Sequence, residues 1–390
     1  MTMLPTPVGL YDPFVHTVMD DPYPIYRQLR NEYPVFHNPD RNLWVLSRYS
    51  DVQSVARNWQ VFSSSAGSDI DVGFGFFGAG DFGDSDPPKH DRIRGVLRDA
   101  FTPRLIQELE DKIRRQVDEL FDPLFERGSG EFVGEVGSNL PLAIIFGMLG
   151  YRDEGAHLAP LMYDALARVP GSNLIPKRAI QAVQALKDHA EVVAEERRKR
   201  PQDDLVSVIV AAEKTGDILP EEVSAICVLL MLAGWNTTTA LVANSMWLLA
   251  RYPDQRRLLT EEPDRIPGAI EEILRFESPA QHHTRVLMKD VEIHGHTIAA
   301  GERVLLLWAS ANRDEERWVD SEKFDVAREP KRNLAFGEGI HHCIGAPLAR
   351  LEGRIVVEKV LSRSPDFEVG EAERFPGVML RGISRLPISL

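Results

Sequence analysis

Cysteine is nearly absent. Cys227 and Cys343 are the only two in 390 residues. That is too few for a disulfide framework, and neither belongs to a Cys-x-x-Cys pair able to hold zinc or an iron–sulfur cluster. Such sparing use of thiols fits a reducing compartment. Basic charge is also short. Lys and Arg number 45 against 59 Asp and Glu, a formal net charge of −14. Nucleic acid is thereby disfavoured as the main partner, because phosphate binding needs a basic face. The opening stretch MTMLPTPVGLYDPF has neither the basic start nor the apolar core of a signal peptide, so the expected location is the cytoplasm. One region lacks charge altogether: none lies between Val223 and Ala250. It is long enough to cross a bilayer. It also contains Asn236, Thr237, Thr238, Thr239, Asn244 and Ser245, and no basic cluster flanks it. It reads as a helix through the core of a soluble protein, with no membrane involved.

Linkers, internal repeats and low-complexity tracts are missing too, so residues 1–390 are expected to form a single domain. With 43% hydrophobic and 27% charged residues, the composition is globular. PVFHN and LWVLS, joined by PDR, read as a hairpin. SDVQSVARN reads as a short helix with a serine cap. Residues 63–85 form a loop rich in Gly, Asp and Phe. Its length and its Phe74, Phe76, Phe77 and Phe82 suggest a lid or binding loop. Helical periodicity then dominates, over about 88–100, 103–127, 138–150, 153–168, 176–199, 203–214, 220–251 and 266–276. Strand signals lie between 284 and 308, a coil with little periodicity at 311–335, and a final helix at APLARLEGRIVVEKVLSR. The expected fold class is mainly α with a small β region.

Against its general scarcity, cysteine appears once in a distinctive setting, FGEGIHHCIG at 336–345. A lone cysteine is by default a small buried hydrophobe. Here Gly337, Gly339 and Gly345 let the backbone turn tightly and approach a flat partner. The helix that follows is expected to turn its positive end toward Cys343, lowering the thiol pKa. One soft thiolate suffices for haem iron, because the porphyrin supplies four further ligands.

The pattern Phe336-Gly337-x-Gly339-x-His341-x-Cys343-x-Gly345 resembles the haem-binding signature of the cytochrome P450 family. Further motifs across most of the chain agree. Glu272-x-x-Arg275 in EEILR is similar to the family's buried ion pair, a structural feature that a third basic residue completes. Lys323 and Arg313 are the two candidates for that role. His90 and Arg94 in DPPKHDRIR, Arg285 in HHTRV, and His341 match positions that bind the haem propionates, which suits the fit of guanidinium to carboxylate. LAGWNTTT resembles the helix crossing the distal face of haem. There the small Gly234 leaves room for dioxygen, and Thr237 stands at the position of the proton-delivering threonine. The usual acid before it is replaced by Asn236, which orients water but does not titrate. Thr238 is the neighbouring candidate. LRGISRLPI looks like the family's terminal β turn.

The resemblance implies the single-domain P450 fold, a triangular prism. It also implies haem b (iron protoporphyrin IX) with Cys343 as the metal ligand, and a monooxygenase reaction that consumes O2. Electrons would come from NAD(P)H through a separate ferredoxin reductase and ferredoxin. The basic residues Arg92, Arg98, Lys331, Arg332, Arg350 and Arg354 gather near the motifs that such an acidic donor would approach. The small-molecule substrate would be aromatic or hydrophobic, in a pocket bounded by Phe74, Phe76, Phe77, Ala233, Gln281 and His282. Three other readings stay open. One is a cysteine hydrolase using Cys343 with His341 or His342. The others are a haem-binding sensor, and a family member that does not insert oxygen.

Overall fold

The computed structural model describes residues 9–70, 79–151, 155–169, 172, 174–329, 331–375 and 377–390. Phe74, Phe76 and Phe77 lie outside the described residues; Phe82 lies inside them and is buried.

The fold is built around one long helix, Pro220–Arg251. Pro220 supplies a helical φ where an N–H would go unpaired, and Glu221 and Glu222 sit at the positive end. Glu222 also accepts from the Leu219 N–H at 2.8 Å. Apolar residues cover every side: Ile226, Met231, Trp235, Val242, Met246 and Leu249 are all buried. A helix that is apolar all round is either membrane-spanning or wrapped in protein. Here 72% of its most apolar window is buried inside the protein, so its neighbours take the place of lipid. Those neighbours are Asn139–Leu149, Lys177–Lys199, Ile266–Phe276 and Ala346–Arg363.

Several helices depart from the sequence reading. The span expected at 103–127 is two helices, Pro103–Glu108 and Glu110–Arg127, with Thr102 capping the first. Tyr23–Glu32 and Pro253–Glu261 were not anticipated. Both carry proline in the first turn, which reads as a loop signal although the missing N–H costs nothing there.

The largest sheet has five strands. Val35–Asn38 pairs antiparallel with Leu43–Leu46, as the hairpin pattern suggested. Leu43–Leu46 runs parallel to Arg303–Leu307, with Val45 opposite Leu305. His282–Leu287 follows, placing Arg285 opposite Val304, and Phe62–Ser63 closes the edge. Near the C-terminus, Pro387–Ser389 pairs with both Ser129–Glu131 and Glu368–Val369. Glycine is required where this region meets the long helix: a Cβ on Gly382 would stand 2.6 Å from the Ala240 Cβ.

Glu272 and Arg275 form a buried fork-to-fork pair, with Nε to Oε2 at 2.6 Å and Nη2 to Oε1 at 2.8 Å. Arg275 also donates to the carbonyls of Asn312 (3.0 Å), Ser321 (2.8 Å) and Lys323 (3.1 Å). Neither sequence candidate completes the network. The third base is Arg328, 3.2 Å from Glu272 Oε2. Lys323 contributes only its carbonyl while its ammonium reaches toward Asp325, and Arg313 turns to the Phe276 carbonyl and Glu322.

Candidate functional site

The loop before Ala346–Arg363 is fixed by its glycines and by one buried acid. Gly337 and Gly339 have φ of +69° and +72°, a region that favours glycine. A Cβ on Gly339 would also stand 2.5 Å from the Ala56 carbonyl oxygen. Glu338 is buried between Arg57 (3.1 Å) and Arg332 (3.0 Å), which ties the loop to the Tyr49–Arg57 helix. It occupies a variable position of the motif and gave no signal in the sequence. The Cys343 N–H donates to the Phe336 carbonyl at 2.9 Å, and the Arg350 guanidinium lies over the Phe336 ring at 4.5 Å. These contacts set where the sulfur points.

The Cys343 side chain is exposed, yet desolvation dominates its acidity. Together these place the thiol facing an interior opening. The expected lowering of its pKa is not what the surroundings produce. Burial raises it above the ordinary cysteine value, while the Gly345 and Ala346 N–H groups, Arg94 and Arg350 pull it back only in part. A free thiolate is therefore disfavoured. A bound metal cation would reverse this balance, because a coordinating thiol is deprotonated outright.

Cations converge on the same region. Lys89–Arg98 places His90 and Arg94 one turn apart, and Arg92 on its other side clamps Glu222 at 2.7 and 2.8 Å, docking this helix against the long one. Arg94 donates to the His342 carbonyl and lies close enough to feel Cys343. The His90 and His341 rings meet edge to face, with centroids 4.6 Å apart. Both Nε2 atoms are buried without a hydrogen-bond partner. Burial and then the nearby Arg285, His90 and Arg94 hold the His341 pKa well below its ordinary value. Arg285 is buried, and desolvation brings its pKa down to about 10, so it stays charged. A buried arginine, Arg285, and the half-buried Arg94, with two orphaned imidazole nitrogens, make an electropositive cradle that calls for an anion. An anionic, flat cofactor with carboxylate arms fits it. A cysteine–histidine hydrolase pair does not, since nothing in it calls for the arginines.

On the long helix, Ala233 is exposed and Gly234, Asn236 and Thr237 are partly open although the helix is otherwise buried. Thr237 Oγ1 donates back to the Ala233 carbonyl at 2.9 Å, the bond a threonine inside a helix commonly makes. The Asn236 Oδ1 is buried without a partner. Thr238 is buried. Gly234 has a packing role that the sequence did not reveal: a Cβ there would stand 3.1 Å from Ile145 Cδ1 and Cγ1, so the residue permits the long helix to approach Asn139–Leu149. Beside it, Trp235 Nε1 donates to Ser138 Oγ at 2.9 Å.

Gln281 and His282, expected to bound the substrate pocket, are both buried. Gln281 is buried and internally paired, donating to the Ser278 carbonyl at 2.7 Å and accepting from the Tyr26 hydroxyl at 3.3 Å. It borders a small cavity of about 20 Å³ beside Tyr11, Arg374 and Arg381. His282 is fully buried, both its ring nitrogens lack partners, and desolvation lowers its pKa to about 3. It is a neutral imidazole.

This architecture is that of the haem-dependent monooxygenases. The chain belongs to the cytochrome P450 family, whose model matches residues 5–372. It is 37% identical over 365 residues to cytochrome P450 130 of Mycobacterium tuberculosis, spanning 90% of each chain. It is 35% identical over 372 residues to a steroid C26-monooxygenase of the same organism, 93% of this chain and 92% of that one. The crystal structure of CYP109E1 from Bacillus megaterium in complex with testosterone superposes with a TM-score of 0.90 at 30% identity, covering 96% of this chain and 99% of that one. The protein is accordingly an oxidoreductase of the monooxygenase type with haem as its cofactor.

Proposed function

We propose that this chain, folded as one domain, is a haem-thiolate monooxygenase. It hydroxylates or O-dealkylates a small aromatic or hydrophobic organic molecule. The observation that carries the site assignment is the convergence of a lone open thiol with Arg94, Arg285 and two orphaned imidazole nitrogens. Cys343 would be the thiolate ligand, Arg94, Arg285, His90 and His341 would hold the carboxylate arms, and Phe336 and Gly337 would border the bound cofactor. When bound, haem supplies the activation of dioxygen.

The chain's own residues do the rest. Gly345 and Ala346 direct N–H groups at the sulfur and keep it an orderly ligand. Asp91 holds His90 Nδ1 at 2.8 Å and so fixes the plane of the ring whose Nε2 faces the site. Ala233 and Thr237 lie four residues apart on one helix face and line the opposite side of the site. Thr237 holds its hydroxyl in place through the Ala233 carbonyl and keeps its lone pairs free to accept a proton donor. Asn236 orients water without exchanging a proton. The electron source is a ferredoxin fed by an NAD(P)H-dependent reductase in the cytoplasm. Of the basic residues on the docking face, Arg98, Lys331 and Arg332 are exposed, and Arg92, Arg350 and Arg354 are half-buried in ion pairs.

Titration of the ferric protein with aromatic and steroid-like compounds is expected to shift its spectrum from low to high spin for the accepted class. With labelled dioxygen, one labelled atom should enter the product. Binding without incorporation would instead favour a second reading, a non-oxygenating family member, which the amide at position 236 keeps in play.

That amide carries its own expected result. Asn236→Asp should raise the rate of oxygen consumption and change the share of electrons lost as peroxide, with ferric haem binding intact. A tenfold change needs only about 1.4 kcal/mol in barrier, within reach of one repositioned water at the unpartnered Oδ1. The comparison is NADH consumed against product and peroxide formed, with a solvent isotope effect. Identical values in both proteins would remove position 236 from proton handling.

A further inference from the structure

One buried acid serves three guanidinium groups where the N-terminal segment meets the terminal β turn. Glu277, just past Ile266–Phe276, is 2% exposed. Arg381 Nε donates to its Oε1 at 2.7 Å and Arg374 Nη1 at 3.3 Å, while Arg313 Nη2 stands 3.7 Å from Oε2. Burial opposes its ionisation, but Arg381, Arg374 and Arg313 hold its pKa below the ordinary carboxylate value. Arg313 has a second acid, Glu322 at 2.8 Å. Among the described residues, Arg374 and Arg381 pair with Glu277 alone. Asp21, the other acid that both arginines feel, accepts from the Tyr23 N–H at 3.3 Å instead. Two cations thus share one close anion. The excess shows in Arg374, whose pKa burial lowers; Glu277 opposes that shift and Arg381 adds to it.

The same two arginines line the cavity of about 20 Å³ beside Gln281, together with Tyr11 and Tyr26. The Tyr26 hydroxyl donates to Gln281 Oε1 at 3.3 Å. The Tyr11 hydroxyl is buried with no hydrogen-bond partner, and burial holds its pKa well above the ordinary value, so it remains a neutral donor. Arg381 Nη1 is taken by the carbonyls of Met19 and Asp20, both at 3.0 Å. Its Nη2 donates to none of the described residues, and neither do Arg374 Nε and Nη2. The rim has a different character: Val18, Met19, Phe375, Val378 and Leu380 are half-buried around it. A cationic floor beneath an apolar rim matches a molecule with an anionic head and a hydrocarbon tail. The volume admits one small polar group, which suits the two oxygens of a carboxylate better than the four of a phosphate. Guanidinium groups match a carboxylate in geometry as well as in charge.

We propose that this cavity binds the carboxylate group of an aliphatic acid, with Arg374, Arg381 and Tyr11 as donors and the tail laid along the apolar rim. The site is distinct from the cradle around Cys343, yet backbone bonds tie the two together. The Gln281 N–H donates to the Met379 carbonyl at 2.8 Å, and the Arg381 N–H to the Pro279 carbonyl at 2.7 Å. Gln281 leads directly into His282–Leu287, the strand that carries Arg285. On the other side Gly382 abuts Ala240 of the long helix. The acid has two possible sources: the substrate itself, its far end directed to the haem site, or a separate ligand that acts on that site through the strand. Binding of the acid does not rest on the monooxygenase reading above; its oxidation does.

Calorimetric titration of the ferric holoenzyme with decanoate, methyl decanoate and acetate tests this without turnover. Decanoate should bind about tenfold or more tighter than either control, because the ester lacks the charge and acetate lacks the tail. Arg374→Gln alters a side chain that is 25% exposed, and Tyr11→Phe removes only a hydroxyl. Each should weaken decanoate roughly tenfold and leave the ester unchanged. The red-shifted CO band should be the same in both variants. If decanoate also moves the ferric haem from low to high spin at the concentrations that saturate the calorimetric signal, the acid is the substrate. Calorimetric binding with no spin shift identifies a separate ligand, and either result supports the site. Decanoate bound no tighter than its ester or than acetate, or bound equally by the wild type and both variants, overturns the proposal. If Arg374→Gln fails to fold, Tyr11→Phe and the ester comparison decide. A wild-type enzyme that inserts no oxygen overturns the monooxygenase reading and leaves the carboxylate site standing.

Discussion

Cys343→Ala is expected to eliminate the strongly red-shifted Soret band of the reduced, CO-treated protein while leaving the polypeptide folded. The loop does not depend on the sulfur for its shape. Its turns are set by Gly337 and Gly339 at positive φ, by the bond from the 343 N–H to the Phe336 carbonyl, and by Glu338 between Arg57 and Arg332. Alanine preserves all of these. What it removes is the only sulfur available there, since Cys227 is buried in the long helix with burial pushing its pKa up to about 12. Neither neighbouring imidazole can substitute for a thiolate, because a neutral nitrogen donates far less electron density to iron. Cys227→Ser should therefore keep the band, at a stability cost of roughly 1–2 kcal/mol typical of a buried substitution. Absorbance of the two variants is the measurement. A red-shifted band surviving in Cys343→Ala would sink the ligand assignment.

The two helices that matter most to the site were legible because their boundary chemistry is local. Pro220–Arg251 begins at a proline followed by two acids and ends at the first charge after a long apolar run. Ala346–Arg363 begins where the glycine-rich loop stops. The cysteine loop stood out through its resemblance to a family signature, and its glycines at 337 and 339 do take the positive φ that their residue type favours. Contacts made at a distance left no such trace. Arg328 lies in the coil at 311–335, where no periodicity marks one basic residue above another, and only the folded chain brings it to Glu272. The sign of the Cys343 shift failed for a related reason. A helix terminus can be read from sequence, whereas the depth of burial that outweighs it cannot. Gly234 shows the same limit, since its neighbour Ile145 comes from a helix nearly ninety positions earlier in the chain.

Arg275→Met is expected to prevent accumulation of stable holoprotein. Its partner Glu272 has a side chain only 3% exposed, so removing the guanidinium strands a carboxylate in the interior. Breaking one half of a buried ion pair costs about 3–5 kcal/mol. The carbonyls of Asn312, Ser321 and Lys323 lose a donor at the same time, and whole domains are stable by only about 5–15 kcal/mol. The damage should extend to the haem loop. Asn312, whose carbonyl Arg275 holds, accepts from the Leu334 N–H at 2.6 Å through its own side chain, and Leu334 in turn accepts from the Gly337 N–H at 3.0 Å. Arg275 thus anchors the segment that aims Cys343. Arg275→Lys keeps the charge but not the fork, and should rescue little. Arg328→Ala should be milder, at roughly 1–3 kcal/mol, because Glu272 retains both bonds to Arg275. Urea midpoints and haem retained per chain would rank the three variants. An Arg275→Met protein with the wild-type midpoint and full haem content would show that Glu272 finds another partner and that the network does not hold the loop.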